Sequence, residues 1–186
     1  MSKIISAPSP VLSQKAKDYT FKSKDNFLPK LLKEMEEALL SAKDPKGVGL
    51  AAPQIGKSLS IFITKPTEKS KIQVFINPKI IEFGDKKPAT KGKKQIKKPL
   101  KLEGCLSLPS IWGEVKRSTE VKISYFDEKE EKKTEKFDGF MATIVQHEID
   151  HLYGVLFPKR VLEQKGRLFH SSKNKEGEDE FEELSI

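Results

Sequence analysis

The stretch QHEIDHLYGV, residues 146–155, constrains the fold more than any other, because it holds two of the three histidines in 186 residues. The surrounding segment, FMATIVQHEIDHLYG, predicts a helix that is apolar on most sides and that Gly154 can end. His147 and His151 lie one turn apart on such a helix and project from the same face. We therefore expect a central helix that aims two imidazoles at one point.

Glu148 lies about 100° farther round the axis of that helix, where it reaches a water on a metal ion more easily than the ion itself. The pentapeptide HEIDH thus fits the H-E-x-x-H pattern, in which two histidines bind a metal and the glutamate is a general base. Chance is a poor explanation in a chain with three histidines. An unpaired buried glutamate would also be costly. Asp150 is expected to face solvent or a lysine and is given no role.

A catalytic metal generally has three protein ligands and a water, so a third ligand is needed. His170 lies in a polar segment, and Glu163 could be the downstream carboxylate of a metalloprotease. Cys105, in EGCLSLP, is expected in a tight, close-packed turn. A lone cysteine could equally be a small apolar residue of the core. As the single cysteine it cannot form an internal disulfide, in agreement with a reducing compartment. The incomplete histidine pair favours Cys105, whose thiolate would admit ferrous iron, zinc, nickel or cobalt.

The remaining pattern predicts an α+β fold: antiparallel β-sheets packed around the central helix that carries the HExxH motif, with an N-terminal helix and a short C-terminal helix. The N-terminal helix has apolar residues at helical spacing and could be capped by Asn26 or Asp25. The predicted strands are LSIFIT, KIQVFINP, a separate IIEFG, and STEVKISYFD with EKKTEKFDGF returning antiparallel to it. The last helix is expected within KRVLEQKGRLFHSS.

The length fits a single catalytic domain, residues 1–170. Nearly all of the net charge of +8 lies in residues 84–101, where eight lysines face one aspartate. This stretch is expected to be a solvated insertion, and the acidic tail, residues 171–186, is expected to be flexible and to fray. The hypothesis that this lysine-rich loop contacts RNA or an acidic surface is kept as an alternative. Lysines without neighbouring arginine or aromatic residues recognise nucleotide bases poorly, so no sequence-specific nucleic-acid binding is expected.

No run approaches the roughly 18 apolar residues of a membrane span, and MSKIISAPSP lacks the pattern of a signal or transit peptide. A cytoplasmic protein without membrane contact is therefore expected.

Three motifs, GVGLAAPQIG (47–56), EGCLSLP (103–109) and QHEIDHLYG (146–154), resemble the signature motifs of the peptide deformylase family, in that family's order. A looser match extends from PSPVL to GVLFPKR. The resemblance implies a hydrolase that removes the formyl group from the N-terminal formylmethionine of nascent polypeptides and releases formate. It also implies one divalent ion, which we expect to be Fe²⁺, with Zn²⁺, Ni²⁺ or Co²⁺ able to replace it.

By this resemblance, Cys105, His147 and His151 hold the metal with a water, and Glu148 takes the proton of that water and delivers it to the departing amine. The side chain of Gln54 and the backbone N–H of Leu106 would stabilise the charge on the formyl oxygen. Substrate contacts are implied or expected at Val48, Gly49, Glu103, Gly104, Phe140 and Ile144. Burial in the core would explain Phe140 and Ile144 as well.

The chain departs from the family pattern at Thr143, near which bacterial members often carry an arginine, and at Trp112, where some members carry one. Trp112 either covers the second or third residue of the peptide or packs on the surface. Two rivals stay open: a metalloprotease that uses Glu163, and a ribosome- or RNA-associated module with a structural metal. We expect a monomer, with ribosome contact through the lysine-rich stretch or the last helix as a hypothesis.

Overall fold

The structure is a computed structural model that describes residues 3–22, 26–43, 45–84 and 102–185. Within these ranges the chain forms three α-helices, two short 3₁₀ helices (Pro10–Leu12 and Ala52–Ile55) and nine strands. In chain order the helices and strands are α1 (Phe27–Ser41), β1 (Gly49–Ala51), β2 (Ile61–Thr64), β3 (Gln73–Gly84), β4 (Leu102–Cys105), β5 (Leu108–Glu114), β6 (Glu120–Phe126), β7 (Lys132–Asp138), α2 (Gly139–Leu152), α3 (Phe157–Glu163), β8 (Leu168–Lys173) and β9 (Asp179–Glu183).

The strands form a five-stranded sheet of order β1-β2-β3-β6-β7 and a four-stranded sheet of order β4-β5-β8-β9. Neighbouring strands are antiparallel in both sheets. The predicted α+β class is confirmed. Strands β6 and β7 pair without a register shift from Glu120↔Asp138 to Phe126↔Lys132, as the alternating pattern of STEVKISYFD predicts.

Helix α2 lies at the centre because one of its faces is apolar. Ala142, Val145, Ile149 and Leu152 are buried in a cluster with Phe62, Phe75, Val121, Ile123 and Tyr125 from the five-stranded sheet. The rings of Phe62 and Phe75 stack there with centroids 4.4 Å apart. The helix ends as predicted, with Gly154 at φ 69° directly after the last turn. The opposite face is left to carry polar groups.

Helix α1 is amphipathic, and its buried residues, including Leu31, Met35 and Leu39, join a second cluster with β1 and β2. Asn26 stands at the N-cap position, but its side chain makes no capping hydrogen bond. In the described ranges no helix combines the length and the apolar character that crossing a bilayer requires.

The prediction of separate strands KIQVFINP and IIEFG is wrong, since both belong to β3. The break in the pattern is a bulge: the register to β6 shifts between Ile76 and Lys79, and Asn77 has a φ of 50°. The Asn77 side chain accepts from the N–H of Tyr19 at 2.7 Å and donates to its carbonyl at 2.8 Å. These bonds support the irregular residue, so the strand continues.

The C-terminal prediction needs two corrections. Helix α3 ends at Glu163 and the chain then reverses, with Lys165 at φ 53° and the Gly166 N–H donating to the Val161 carbonyl at 2.9 Å. The rest of the expected helix is β8, because the buried side chains at its start pack in the core while its backbone pairs with β5. The tail does not simply fray, since β9 pairs with β8 although all five of its residues are exposed.

The expected domain boundary at residue 170 falls inside β8. Of the proposed insertion, residues 84–101, the structure describes only Gly84, the last residue of β3. Residues 85–101 lie outside the described residues, so the interpretation of the lysine-rich stretch stays a prediction.

Candidate metal centre

The polar face of α2 and the end of β4 together form a buried cluster of one thiol and two imidazoles. Cys105 Sγ lies 3.2 Å from His151 Nε2, and the rings of His147 and His151 meet edge to face with centroids 4.9 Å apart. One candidate ligand atom from each of the three residues lies within 4.8 Å of the other two. The structure thus brings together the predicted ligands from segments more than 40 residues apart.

This donor set fits a divalent metal of the zinc or ferrous-iron type, which thiolate and imidazole ligands favour. At this cluster two buried polar atoms, Nδ1 of His151 and Oε2 of Glu148, have no hydrogen-bond partner among the described residues. His147 Nδ1 contacts Glu103 Oε1 at 2.6 Å, so its Nε2 is the ring atom left for a ligand bond. A carboxylate on the second nitrogen is the usual support of a metal-binding histidine.

The charge state of the cluster also suits a metal. Burial alone would raise the pKa of the Cys105 thiol, but His151 and His147 beside it lower that pKa to about 5. Burial would likewise raise the pKa of Glu103, but hydrogen bonds from His147 and Arg117 hold it at about 2. A thiolate is therefore available at neutral pH, and a thiolate, not a thiol, is the metal ligand.

Glu148 lies on α2 beside the cluster, is 4% exposed and faces the first motif. Gly49 faces it so closely that a Cβ at that position would lie 2.9 Å from Glu148 Cδ. Burial raises the pKa of Glu148 to about 7. A carboxyl group with such a pKa can both accept and release a proton near neutral pH.

Gln54 reaches the cluster from the 3₁₀ helix that follows β1. Its Oε1 accepts from the Ala51 N–H at 2.8 Å, and its Nε2 lies 3.7 Å from Cys105 Sγ and 3.2 Å from Ser107 Oγ. The N-terminal segment ties the two motifs together, since the N–H of Ile5 donates to the Gln54 carbonyl and that of residue 7 to the Ser107 carbonyl. The Gln54 amide is therefore held in a fixed orientation toward Cys105 and Ser107.

A cavity of about 950 Å³ opens beside the cluster. Its lining includes the expected substrate residues Val48, Gly49, Glu103, Gly104, Phe140 and Ile144, together with Gln54, Leu106, Cys105, His147 and Glu148. Ile144 is buried, but Phe140 is 57% exposed. The alternative that Phe140 is simply core is therefore wrong, because its ring stands at the mouth of the cavity.

Trp112 also lines the cavity. Its Nε1–H donates to Ser171 Oγ at 3.0 Å, and its ring meets that of Phe181 edge to face at 5.9 Å. A Cβ on Gly104 would lie 2.8 Å from the indole. The indole is thus packed between the second motif and the β8–β9 hairpin, with one side on the cavity.

The expectation for Asp150 is wrong, because its carboxylate is buried and forms ion pairs with two arginines. Asp150 Oδ2 accepts from Arg117 Nη1 at 2.6 Å, and Asp150 Oδ1 accepts from Arg160 Nη2 at 2.7 Å. Arg117 also binds Glu103 through two bonds of 2.7 and 3.1 Å. Arg117 belongs to none of the sequence motifs. The sequence feature that could have indicated its role is its rarity, because it is one of only three arginines in a lysine-rich chain and arginine favours bidentate pairs with carboxylates.

The alternative third ligands lie elsewhere. Glu163 forms an exposed ion pair with Arg160 at 3.0 Å, and His170 is an exposed residue of β8 opposite Ile111. The structure brings Cys105 to the histidines instead, which is the arrangement predicted from the second motif.

Comparison with known proteins agrees with this geometry. The family model of polypeptide deformylase matches residues 1–167. The chain is 40% identical over 148 residues to a peptide deformylase of Pseudothermotoga lettingae, covering 80% of this chain and 75% of that protein. It is 37% identical over 157 residues to that of Brucella suis, covering 83% and 81%.

Solved structures give the same result. The peptide deformylase of Thermotoga maritima superposes with a TM-score of 0.71 at 34% identity, covering 86% of this chain and 97% of that one. The peptide deformylase of Synechococcus elongatus, solved in complex with actinonin, has a TM-score of 0.71 at 32% identity and covers 84% and 76%. The chain therefore belongs to the polypeptide deformylase family.

Proposed function

We propose that this enzyme removes the formyl group from the N-terminal formylmethionine of nascent polypeptides and releases formate, with a divalent metal held by Cys105, His147 and His151. The observation that carries the proposal is the convergence of these three ligand atoms within 4.8 Å beside a cavity of about 950 Å³. Membership of the deformylase family supports the choice of substrate.

The residues present fit a single ion with one sulfur and two nitrogen ligands. Bound there, a divalent ion would supply Lewis-acid chemistry, lowering the pKa of a coordinated water and polarising the formyl group. We expect ferrous iron, and the same ligands accept zinc, nickel or cobalt. The thiolate of Cys105 must stay reduced, which agrees with the cytoplasm as the place of action.

Glu148 is the proposed general base and acid. Its carboxylate takes a proton from the water that attacks the formyl carbon. It then returns this proton to the departing amine, so one group serves both steps. The pKa of about 7 that burial gives it suits this exchange near neutral pH. Its buried Oε2, which has no partner among the described residues, is the atom best placed to hold that proton.

Negative charge develops on the formyl oxygen during attack and needs donors already in position. We propose the Gln54 Nε2–H and the backbone N–H of Leu106. The bond from the Ala51 N–H to Gln54 Oε1 keeps the Nε2 end pointed toward Cys105, so little reorientation is needed when charge appears.

The apolar part of the cavity suits a methionine side chain. Val48 and Ile144 line it, and Phe140 stands at its mouth. Formyl is the smallest acyl group, so a cramped site next to the metal ligands would select formyl over acetyl by exclusion. Trp112 borders the path of the following residues of the peptide.

The test is formate release from formyl-Met-Ala-Ser by anaerobically purified protein loaded with Fe²⁺ or Co²⁺, with acetyl-Met-Ala-Ser as the comparison substrate. We expect release from the formyl peptide only. Glu148→Gln should keep one equivalent of metal and lose roughly 10²- to 10⁴-fold in kcat, whereas the exposed control Glu163→Ala should keep both metal and activity. Full activity of metal-loaded Glu148→Gln would remove Glu148 from the mechanism, and loss of metal in Glu163→Ala but not in Cys105→Ala would favour a metalloprotease-type site.

We also propose that the enzyme is a monomer. Contact of its lysine-rich stretch with ribosomes stays a prediction, and lysine-to-serine changes within 86–98 that leave low-salt ribosome co-sedimentation unchanged would remove its basis.

A further inference from the structure

A line of alternating charges connects the surface helix α3 to the metal-ligand candidate His147. Arg160 binds Asp150 through Nη2 to Oδ1 at 2.7 Å and Nε to Oδ2 at 3.2 Å. Asp150 Oδ2 also accepts from Arg117 Nη1 at 2.6 Å. Arg117 binds both oxygens of Glu103, and Glu103 Oε1 contacts His147 Nδ1 at 2.6 Å. Each member is thus held by the one before it.

The members of this line differ in how deeply they are buried. The side chains of Glu103, Asp150 and Arg117 are only 9–10% exposed, whereas that of Arg160 is 35% exposed. Buried charges are tolerated when they are paired with good geometry, and losing one partner leaves the other uncompensated. Arg160 is therefore the outermost member of the line and the one that can be changed with the least damage to the core.

Both oxygens of Asp150 are engaged by Arg160, and one of them is shared with Arg117. Without Arg160, the Asp150 carboxylate keeps only its bond to Arg117 and is held less firmly in the rotamer that makes that bond. The guanidinium of Arg117 then has one firmly fixed partner, Glu103, and one that is less constrained. Since partners of a ligand's second nitrogen set the orientation and basicity of a metal-binding histidine, a loosened Glu103 weakens His147 as a ligand.

We propose that Arg160 is a positioning residue for metal binding, which acts through Asp150, Arg117 and Glu103 to fix the imidazole of His147. This inference rests on the metal site of the proposed function. It assigns a role at the metal to a surface residue of α3 that touches neither the ligands nor the cavity. A role confined to anchoring α3 on α2 would change stability and leave metal affinity unchanged.

The test is Co²⁺ binding to metal-free protein, measured by competition with a chelator, together with the rate of Co²⁺ loss. Arg160→Gln should raise the Kd about threefold to tenfold, below the roughly 10- to 100-fold range for direct partners of a ligand. Arg160→Lys, a point charge without the bidentate fork, should fall between Arg160→Gln and wild type. The matched control is Arg167→Gln, since Arg167 also makes a bidentate pair, with Glu114, away from the site.

A double-mutant cycle separates this route from any other. In a Glu103→Gln background the line is already broken, so Arg160→Gln should change the Kd by less than twofold further. If Glu103→Gln does not fold, Asp150→Asn takes its place in the cycle with the same expectation. Thermal unfolding of the metal-free variants reports their stability separately.

Two results would overturn the inference: a Kd for Arg160→Gln within twofold of wild type, with or without lowered stability, or independent effects that multiply in the cycle. Failure of the wild-type protein to bind Co²⁺ would instead remove the proposed metal site, and is distinguished by the wild-type titration alone.

Discussion

The substitution Gly49→Ala tests how tightly the first motif holds the proposed catalytic carboxylate. A Cβ at residue 49 would lie 2.9 Å from Glu148 Cδ and 3.0 Å from Glu148 Cγ, and ordinary contact begins at 3.4 Å. The glutamate must therefore retreat by about 0.5 Å at Cδ, and its nearest oxygen must move farther. Since a displacement of about 1 Å in a catalytic group costs on the order of 10²-fold in rate, we expect kcat to fall about 10- to 100-fold.

The assay is formate release from formyl-Met-Ala-Ser by the cobalt-loaded enzyme, with kcat and KM measured separately. The added methyl points at Glu148 rather than at the metal ligands, so Co²⁺ affinity should stay within about threefold of wild type. The effect should also appear mainly in kcat. Gly84→Ala is the matched control, because its Cβ lies at the far end of β3 and would meet, among the described residues, the side chain of Glu120 alone.

A kcat for Gly49→Ala within about threefold of wild type, with intact fold and metal, would refute the reasoning. It would mean that Glu148 can move without cost to the reaction, or that it is not the proton-transfer group. A fall in activity that follows loss of Co²⁺ would equally contradict it, since the ligands would then be the groups disturbed.

Three further results are expected. Phe157→Ala should lower the free energy of unfolding of the metal-free protein by about 3–5 kcal/mol in urea titrations, because this side chain is 1% exposed and stacks near His147; a loss under 1 kcal/mol would contradict its place in the core. Gln54→Leu should keep the metal and lose about 10²- to 10³-fold in kcat, and an unchanged kcat would remove Gln54 from the mechanism. Phe181→Ala should shift the fluorescence emission of Trp112, the single tryptophan, to longer wavelength and make it easier for a dissolved quencher to reach the indole, because Phe181 covers Trp112. An unchanged emission spectrum would contradict the pairing of β9.

The sequence was sufficient for the features set by local periodicity. The helical spacing of apolar residues around His147 and His151 predicts α2, its burial and the shared direction of the two imidazoles. The alternation in β6 and β7 predicts their hairpin. The close pairing of Cys105 with the histidines was suggested by an incomplete ligand set and by the family motifs, because no local rule joins segments more than 40 residues apart.

The features that were missed depend on partners distant in the chain. The sequence pattern predicts Asp150 only as a polar position on a helix. The fold brings Nη1 of Arg117, 33 residues earlier, to 2.6 Å from Asp150 Oδ2. Strand β9 is acidic and exposed, so its pattern resembles a solvated tail, yet pairing with β8 orders it. The bulge at Asn77 resembles a strand end because its support comes from the backbone of Tyr19, 58 residues away. Long-range hydrogen bonds and ion pairs of this kind leave no periodic signal.

We propose above that one thiolate and two imidazoles of this chain bind a single divalent ion. The most direct measurement is the absorption spectrum of the Co²⁺-loaded protein beside that of Cys105→Ser at the same protein concentration. We predict one equivalent of Co²⁺ and a sulfur-to-cobalt charge-transfer band in the near ultraviolet for the wild type, and loss of that band in Cys105→Ser. An identical spectrum and stoichiometry in Cys105→Ser would contradict the claim, because the sulfur would then not be a ligand.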